Sequence, residues 1–255
     1  MTAHAAAMAS TEFVDPYLDP ATGILRNKLG ATDQIALDQA EGDLVFLRLT
    51  KLMSEGVSAP RGDLDEIREI HRTLFQDVYD WAGDIRTVDI RKPGADAQPF
   101  LAVSKIELAS SYIQGELADE KMLLGLDRDA FIGRISHYYD QFNYMHPFRE
   151  GNGRTQRVLI SRIAHHAGWE LDWRQVSGEE NDAASRAGAE AFDLQPLHRM
   201  FDKIVIGPAA STETQEGAER ARSAFGHRAG RPLTPDASAE PKSPSTKSPD
   251  PSCER

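Results

Sequence analysis

Cysteine is almost missing from this chain: its 255 residues hold one, Cys253, third from the C-terminus. A lone thiol excludes a disulfide framework and a thiolate metal cluster, and the low count fits a reducing compartment. Excess positive charge is missing too. Lys and Arg number 29 against 40 Asp and Glu, so the net charge is −11 and the pI about 5.2. Such a surface argues against direct nucleic-acid binding and against docking on anionic membranes. No run approaches the ~18 apolar residues of a membrane span. The opening MTAHAAAMAS has neither the basic nor the apolar region of a signal peptide, so the expected location is cytoplasmic. What remains is an ordinary soluble composition, 40% hydrophobic and 27% charged, with chain enough for one sizeable core.

Composition divides the chain into a flexible N-terminus (1–13), a body (14–207) and a Pro/Ser-rich, largely disordered tail (208–255). The tail carries seven of the fourteen prolines, and its seven acidic residues balance seven basic ones, so the whole −11 belongs to residues 1–207. The body reads all-α. Asp33 is placed to cap a helix over 33–54 with Ile35, Leu37, Leu44, Leu47 and Leu49 inward. A second helix is predicted over 63–81, stopped by Gly83, and a third over 103–124. A fourth follows Asp127, with Phe131, Ile135, Tyr138, Tyr139 and Phe142 as its buried stripe. Further helices are expected up to Gly168, after a Ser177/Glu180 capping box, and from Asp193 through Ile204. One segment breaks the pattern: residues 85–91 alternate, Pro93-Gly94 signals a turn, and 98–102 can return as a second strand of a small, mobile β-hairpin.

The most informative stretch is HPFREGNGRTQR, residues 146–157, lying between two helices. Gly151, Asn152 and Gly153 tolerate positive φ, so successive N–H groups can converge on an anion, and the following helix adds its positive end. Arg154 and Arg157 are three apart, on one face of the first turn, where their guanidiniums can grip phosphate oxygens. Glu150 beside phosphates is repulsive unless a cation intervenes, which points to Mg²⁺. His146 has the intrinsic acidity of a general base, and Phe148 between them is expected to point inward as the anchor of the loop. The competing reading of the same residues is a charged turn between helices, held by salt bridges.

This stretch resembles the full Fic-family signature, HxFx(D/E)GNGRxxR, with every specified position matched. The likeness extends over roughly 14–206, through DPYLDPATGILRNKLG, WAGDIRTVDI and HHAGWELDW. It implies a Fic-type helical bundle with a small β-hairpin flap, and a protein adenylyltransferase that moves AMP from ATP to a Ser, Thr or Tyr hydroxyl of a target protein. In that picture His146 is the base and Glu150 holds Mg²⁺. Gly151, Asn152 and Gly153 form the anion hole, with Asn152 near the α-phosphate, and Arg154 and Arg157 hold the β- and γ-phosphates. Gly153, where phosphoryl-transferring relatives carry lysine, favours AMP transfer.

Flap residues Thr87, Val88, Asp89, Ile90, Arg91 and Lys92 would pair with an extended target segment. The resemblance also implies an inhibitory glutamate directed at Arg157. Such a glutamate comes either in cis, from the tail match Thr212–Glu216–Gly217, or in trans, from a small antitoxin of the bacterial toxin branch, whose recurrent targets are type II topoisomerase subunits. The alternatives are a catalytically silent Fic-fold binding module and a de-AMPylating or other nucleotidyl- or phosphoryl-transferring enzyme of the same fold.

Overall fold

Capping side chains and buried stripes set the element boundaries of the body. The computed structural model describes residues 15–54, 59–91 and 98–208; the tail positions Thr212, Glu216 and Gly217 and flap residue Lys92 lie outside them. Helix α1 (Gln34–Ser54) begins where Asp33 accepts from the Ala36 N–H at 2.9 Å. Its inward stripe is Leu37, Val45 and Leu49, whereas Ile35 and Leu47, expected in the core, are 66% and 63% exposed. Two helical residues apart is about 200° of rotation, so Ile35 turns away from Leu37, and Leu47 from Leu49.

Helix α2 (Leu64–Phe75) starts at Asp63, which accepts from the Glu66 N–H at 2.7 Å. It stops well short of Trp81. The chain continues in turns to Gly83 (φ 86), because the Val78 carbonyl accepts from the Lys28 N–H at 2.8 Å instead of serving a longer helix. The helix expected over 103–124 is likewise divided. A 3₁₀ turn (103–105) leads into α3 (Ile106–Asp119), and a second turn holds Lys121, Met122 and Leu123 at positive φ while it buries Leu123 completely.

Helix α4 (Arg128–Met145) is capped by Asp127, which accepts from the Ala130 N–H at 2.9 Å. Its five stripe residues, Phe131, Ile135, Tyr138, Tyr139 and Phe142, are all buried as the spacing predicts. After it come α5 (Asn152–His166), α6 (Gly178–Ala191) and α7 (Gln195–Ile204). Ser177 accepts from the Glu180 N–H, and Asp193 from the Gln195 N–H. Leu197, Met200, Phe201 and Ile204 face inward. Helix α4 is central and packs against α3, α5, α6 and α7, while α2 packs against α1 and α5.

The sheet is not where the pattern put it. Strands β1 (Trp169–Leu171) and β2 (Val205–Pro208) pair antiparallel, Leu171 opposite Val205. Among the described residues the flap shows one bridge, between Arg91 and Pro99, and one further bond from the Phe100 N–H to the Ile90 carbonyl. Its alternation is real, with Arg86, Val88 and Ile90 buried and Thr87 and Asp89 exposed. Among the described residues the pairing goes no further, because Arg86 takes the Val88 and Leu101 carbonyls with its guanidinium, and Pro99 has no N–H to give.

The fold yields one direct test. Asp127→Ala removes the cap of the central helix and should cost about 1 kcal/mol, a fall of roughly 2–4 °C in Tm by calorimetry; an unchanged Tm would mean the cap contributes nothing.

Candidate active site

Helix α4 ends at His146, whose φ of 43 and ψ of 63 lie in the left-handed region. Pro147 disfavours the right-handed helical region at the preceding residue, so the helix ends there. Four contacts hold the histidine in that strained conformation. Its N–H donates to Phe142 O, and its carbonyl accepts from Arg86 Nε at 2.8 Å. The ring stacks on Phe100 at 3.6 Å between centroids. Nδ1 lies 3.2 Å from the Asn143 carbonyl. A carbonyl only accepts, so Nδ1 carries the proton and Nε2 carries the lone pair. That is the tautomer a general base needs.

Gly151 opens α5 with φ 80. A Cβ there would sit 2.5 Å from Phe75 and 3.1 Å from His71 Nε2, so both sterics and backbone geometry demand glycine. Gly153 differs from expectation: it lies inside α5, not in the left-handed region. A Cβ at Gly153 would meet nothing within 4 Å, so the fold itself does not require glycine there. The first ladder bond of α5 runs from the Thr155 N–H to Gly151 O, so the amides of Asn152, Gly153 and Arg154 form its positive end.

Asn152 contributes its side chain to the loop. Oδ1 accepts from the Phe148 N–H at 2.9 Å and Nδ2 donates to Phe148 O at 2.8 Å, with the residue 7% exposed. Phe148 is fully buried, as expected.

The two arginines point to different neighbours, although three residues apart. Arg154 pairs with Glu41 of α1, lies 4.7 Å over the Phe75 ring and is 3.8 Å from Glu150. Arg157 lies 5.4 Å over Trp173, and its Nε is buried with no hydrogen-bond partner. Glu150 accepts from the Gly151 N–H at 3.0 Å. Burial, and then the charge of Glu41, push its carboxyl above the usual range. Burial opposes the charge of Arg154, but Glu41 and Glu150 outweigh it and raise its pKa.

A cation at Glu150 is chemically reasonable. Its side chain is 24% exposed, and no group of three His, Cys, Asp or Glu gathers among the described residues. Mg²⁺ suits such a place, since it takes one or two carboxylates and completes its shell with phosphates and water.

Four residues outside the motif's specified positions build the site. His71 donates from Nε2 to Glu150 O at 3.0 Å and accepts the Gly83 N–H on Nδ1 at 2.8 Å, its ring stacked 3.8 Å from Phe148. Burial lowers its pKa to about 3. Arg86 is 1% exposed and ties both flap arms to the His146 carbonyl. Arg149 pairs with Asp15 at 2.9 Å, anchoring the loop to the N-terminal segment. Glu41 holds Arg154. The spacing of charged residues on α1 gives no hint of Glu41; His71, on a helix and without metal-ligand spacing, reads as structural from sequence, and it is.

A helical bundle that sets an oriented histidine beside a positive helix end and a carboxylate has the parts of a nucleotide-dependent group transferase. Residues 62–164 match the Fic/DOC family. The probable protein adenylyltransferase Fic of Escherichia coli (strain K12) is 38% identical over 191 residues, 75% of this chain and 92% of that protein. Protein adenylyltransferase VbhT of Bartonella schoenbuchensis is 42% identical over 171 residues, 67% of this chain but 35% of its own length. The chain belongs to the Fic/DOC family. Its fold is that of the BepC effector of Bartonella tribocorum, solved with bound AMPPNP (TM-score 0.71, 22% identity, 76% of this chain and 97% of that one). No described helix is long and apolar enough to cross a membrane.

The neutral, buried His71 makes stability depend on pH. Its folded pKa of about 3 lies below the ordinary 6.5, so the unfolded chain binds the extra proton and stability falls as pH drops below 6.5. Between pH 7 and 5 this should amount to about 2 kcal/mol in urea unfolding, at about 1.4 kcal/mol per unit. His71→Gln should remove that component; a wild-type-to-variant difference equal at both pH values would contradict it.

Proposed function

We propose that the chain is a protein adenylyltransferase. His146 Nε2 takes the proton of a target Ser, Thr or Tyr hydroxyl as its oxygen attacks the α-phosphorus of ATP. The new P–O bond forms, the bond to the β-phosphate oxygen breaks, and pyrophosphate leaves. The observation that carries this reading is the Asn143 carbonyl at His146 Nδ1, which keeps Nε2 as the acceptor beside the positive end of α5. The amides of Asn152, Gly153 and Arg154 would receive phosphate oxygens. The open space beside Gly153 lets a nucleotide approach the backbone there. Arg154 and Arg157, diverging from one turn of helix, would meet different phosphates. Glu150 would hold Mg²⁺, which would neutralise charge on the phosphates. The relatives named protein adenylyltransferases support the same reaction.

Residues 87–91, continued by Lys92, would dock an extended stretch of the target. The reading extends to a cytoplasmic toxin, with a small antitoxin acting at Arg157 and a type II topoisomerase subunit as target class. The reaction is tested by incubating purified protein with α-³²P-ATP, Mg²⁺ and lysate. Labelled protein bands are expected, lost by about 10²-fold or more, on the order of a general base's contribution, in His146→Ala. Label carried equally from γ-³²P-ATP would exclude AMP transfer. Truncation at Pro208 should leave activity unchanged if inhibition comes in trans, whereas a rise would assign it to the tail match at Thr212–Gly217.

A further inference from the structure

Glu41 belongs to no motif and stands 113 residues before Arg154, yet it is 4% exposed and both its oxygens are engaged. One accepts from Arg154 Nη2, the other from the Tyr79 hydroxyl. Tyr79 is itself fixed, its ring stacked 4.3 Å from Trp81 and 2% exposed. Burial and the neighbouring Glu41 charge raise the pKa of that hydroxyl, which keeps it a donor. The same Nη2 of Arg154 lies 3.8 Å from Oε1 of Glu150, in the bend just before α5. Two carboxylates therefore face one amino group, and the contact with Glu41 is the shorter.

Without Glu41, the nearest carboxylate to the arginine is Glu150, already 3.8 Å from the same Nη2, and the two would close on each other. That closure would occupy the carboxylate of Glu150 and turn the guanidinium fork inward. We propose that Glu41, locked by Tyr79, is a positioning residue that draws Arg154 away from Glu150 and presents its remaining N–H groups to a nucleotide polyphosphate. The inference rests on the phosphate-binding reading of Arg154 given above. Its geometry has a reason to persist: a buried carboxylate is costly unless paired, so Glu41 and Arg154 hold each other in place. The Phe75 ring 4.7 Å from the guanidinium carbon supports its other side.

The test is equilibrium binding, by calorimetry, of ATP and of inorganic tripolyphosphate, both in EDTA so that no metal contributes. Wild type should bind both. Glu41→Gln should weaken both by about tenfold, the scale of one charge-assisted hydrogen bond. Tyr79→Phe, which removes a single hydroxyl and leaves the carboxylate, should weaken them by about threefold and keeps the test alive if Glu41→Gln does not fold. The decisive comparison uses Glu150→Gln as background. With the competing charge gone, Glu41→Gln should cost no more than about threefold, a coupling that a general loss of structure would not produce. Equal or tighter binding by Glu41→Gln overturns the proposal, as does a loss undiminished in the Glu150→Gln background. Failure of the wild type to bind either probe removes the phosphate site itself.

Discussion

The bend from Pro147 to Gly151 must reverse the chain between two buried helices without leaving its polar backbone unpaired, and the site depends on that constraint. Both ends of the bend are left-handed, at His146 and Gly151. For glycine this is free, but for histidine it costs on the order of 1–2 kcal/mol. The conformation persists because its surroundings over-determine it. Arg86 takes the His146 carbonyl by its side chain, and its backbone N–H donates to Pro147 O at 2.9 Å. Asn152 closes on both polar groups of Phe148, and His71 holds Glu150 O. The strain falls on His146, the residue proposed as the base.

The electrostatics follow from the same bend. A chain of net charge −11 repels a polyphosphate at a distance, and salt screens that repulsion beyond about 8–10 Å. Under the proposed function, attraction would be made locally, from the positive end of α5 and from Arg154 and Arg157. Each arginine is held by something other than a phosphate. Arg154 leans on Glu41 and Phe75, and Arg157 on the Trp173 ring. Arg149, the third arginine of the stretch, is committed to Asp15 and is 5% exposed, so it is structural despite its place among the others.

Much of this is legible in the sequence. Cap residues Asp33, Asp63, Asp127 and Ser177 mark helix starts, and the α4 stripe is correct at every position, because both signals are local. The motif brings His146, Glu150 and the start of α5 together for the same reason: its residues are adjacent in sequence. The failures are non-local. The motif marks Gly151 as a turn, but the ring that forbids a side chain there is Phe75, brought against it by the packing of α2 on α5. Glu41 and His71 reach the site from helices distant in sequence, and nothing local shows that the Asn152 side chain closes on Phe148. Periodicity overruns the end of α2 because Lys28, whose N–H takes the Val78 carbonyl, lies on a segment before α1, beyond anything a local pattern can register.

The flap shows how a correct pattern can still mislead. Alternation at 86–90 sorts side chains into buried and exposed, which requires extended backbone but not a partner strand. The Val88 and Ile90 carbonyls turn inward, to Arg86 and to the Phe100 N–H. Successive peptide groups of an extended chain face opposite sides, so those of Thr87, Asp89 and Arg91 face outward. Thr87 is already spoken for, its N–H donating to the Tyr17 hydroxyl at 3.0 Å. Among the described residues the outward main-chain edge is therefore Asp89 and Arg91. The far arm of the flap is tied in beside them, the Leu101 N–H donating to the carbonyl of Tyr144, two residues before His146, so the flap and the end of α4 are fixed to each other.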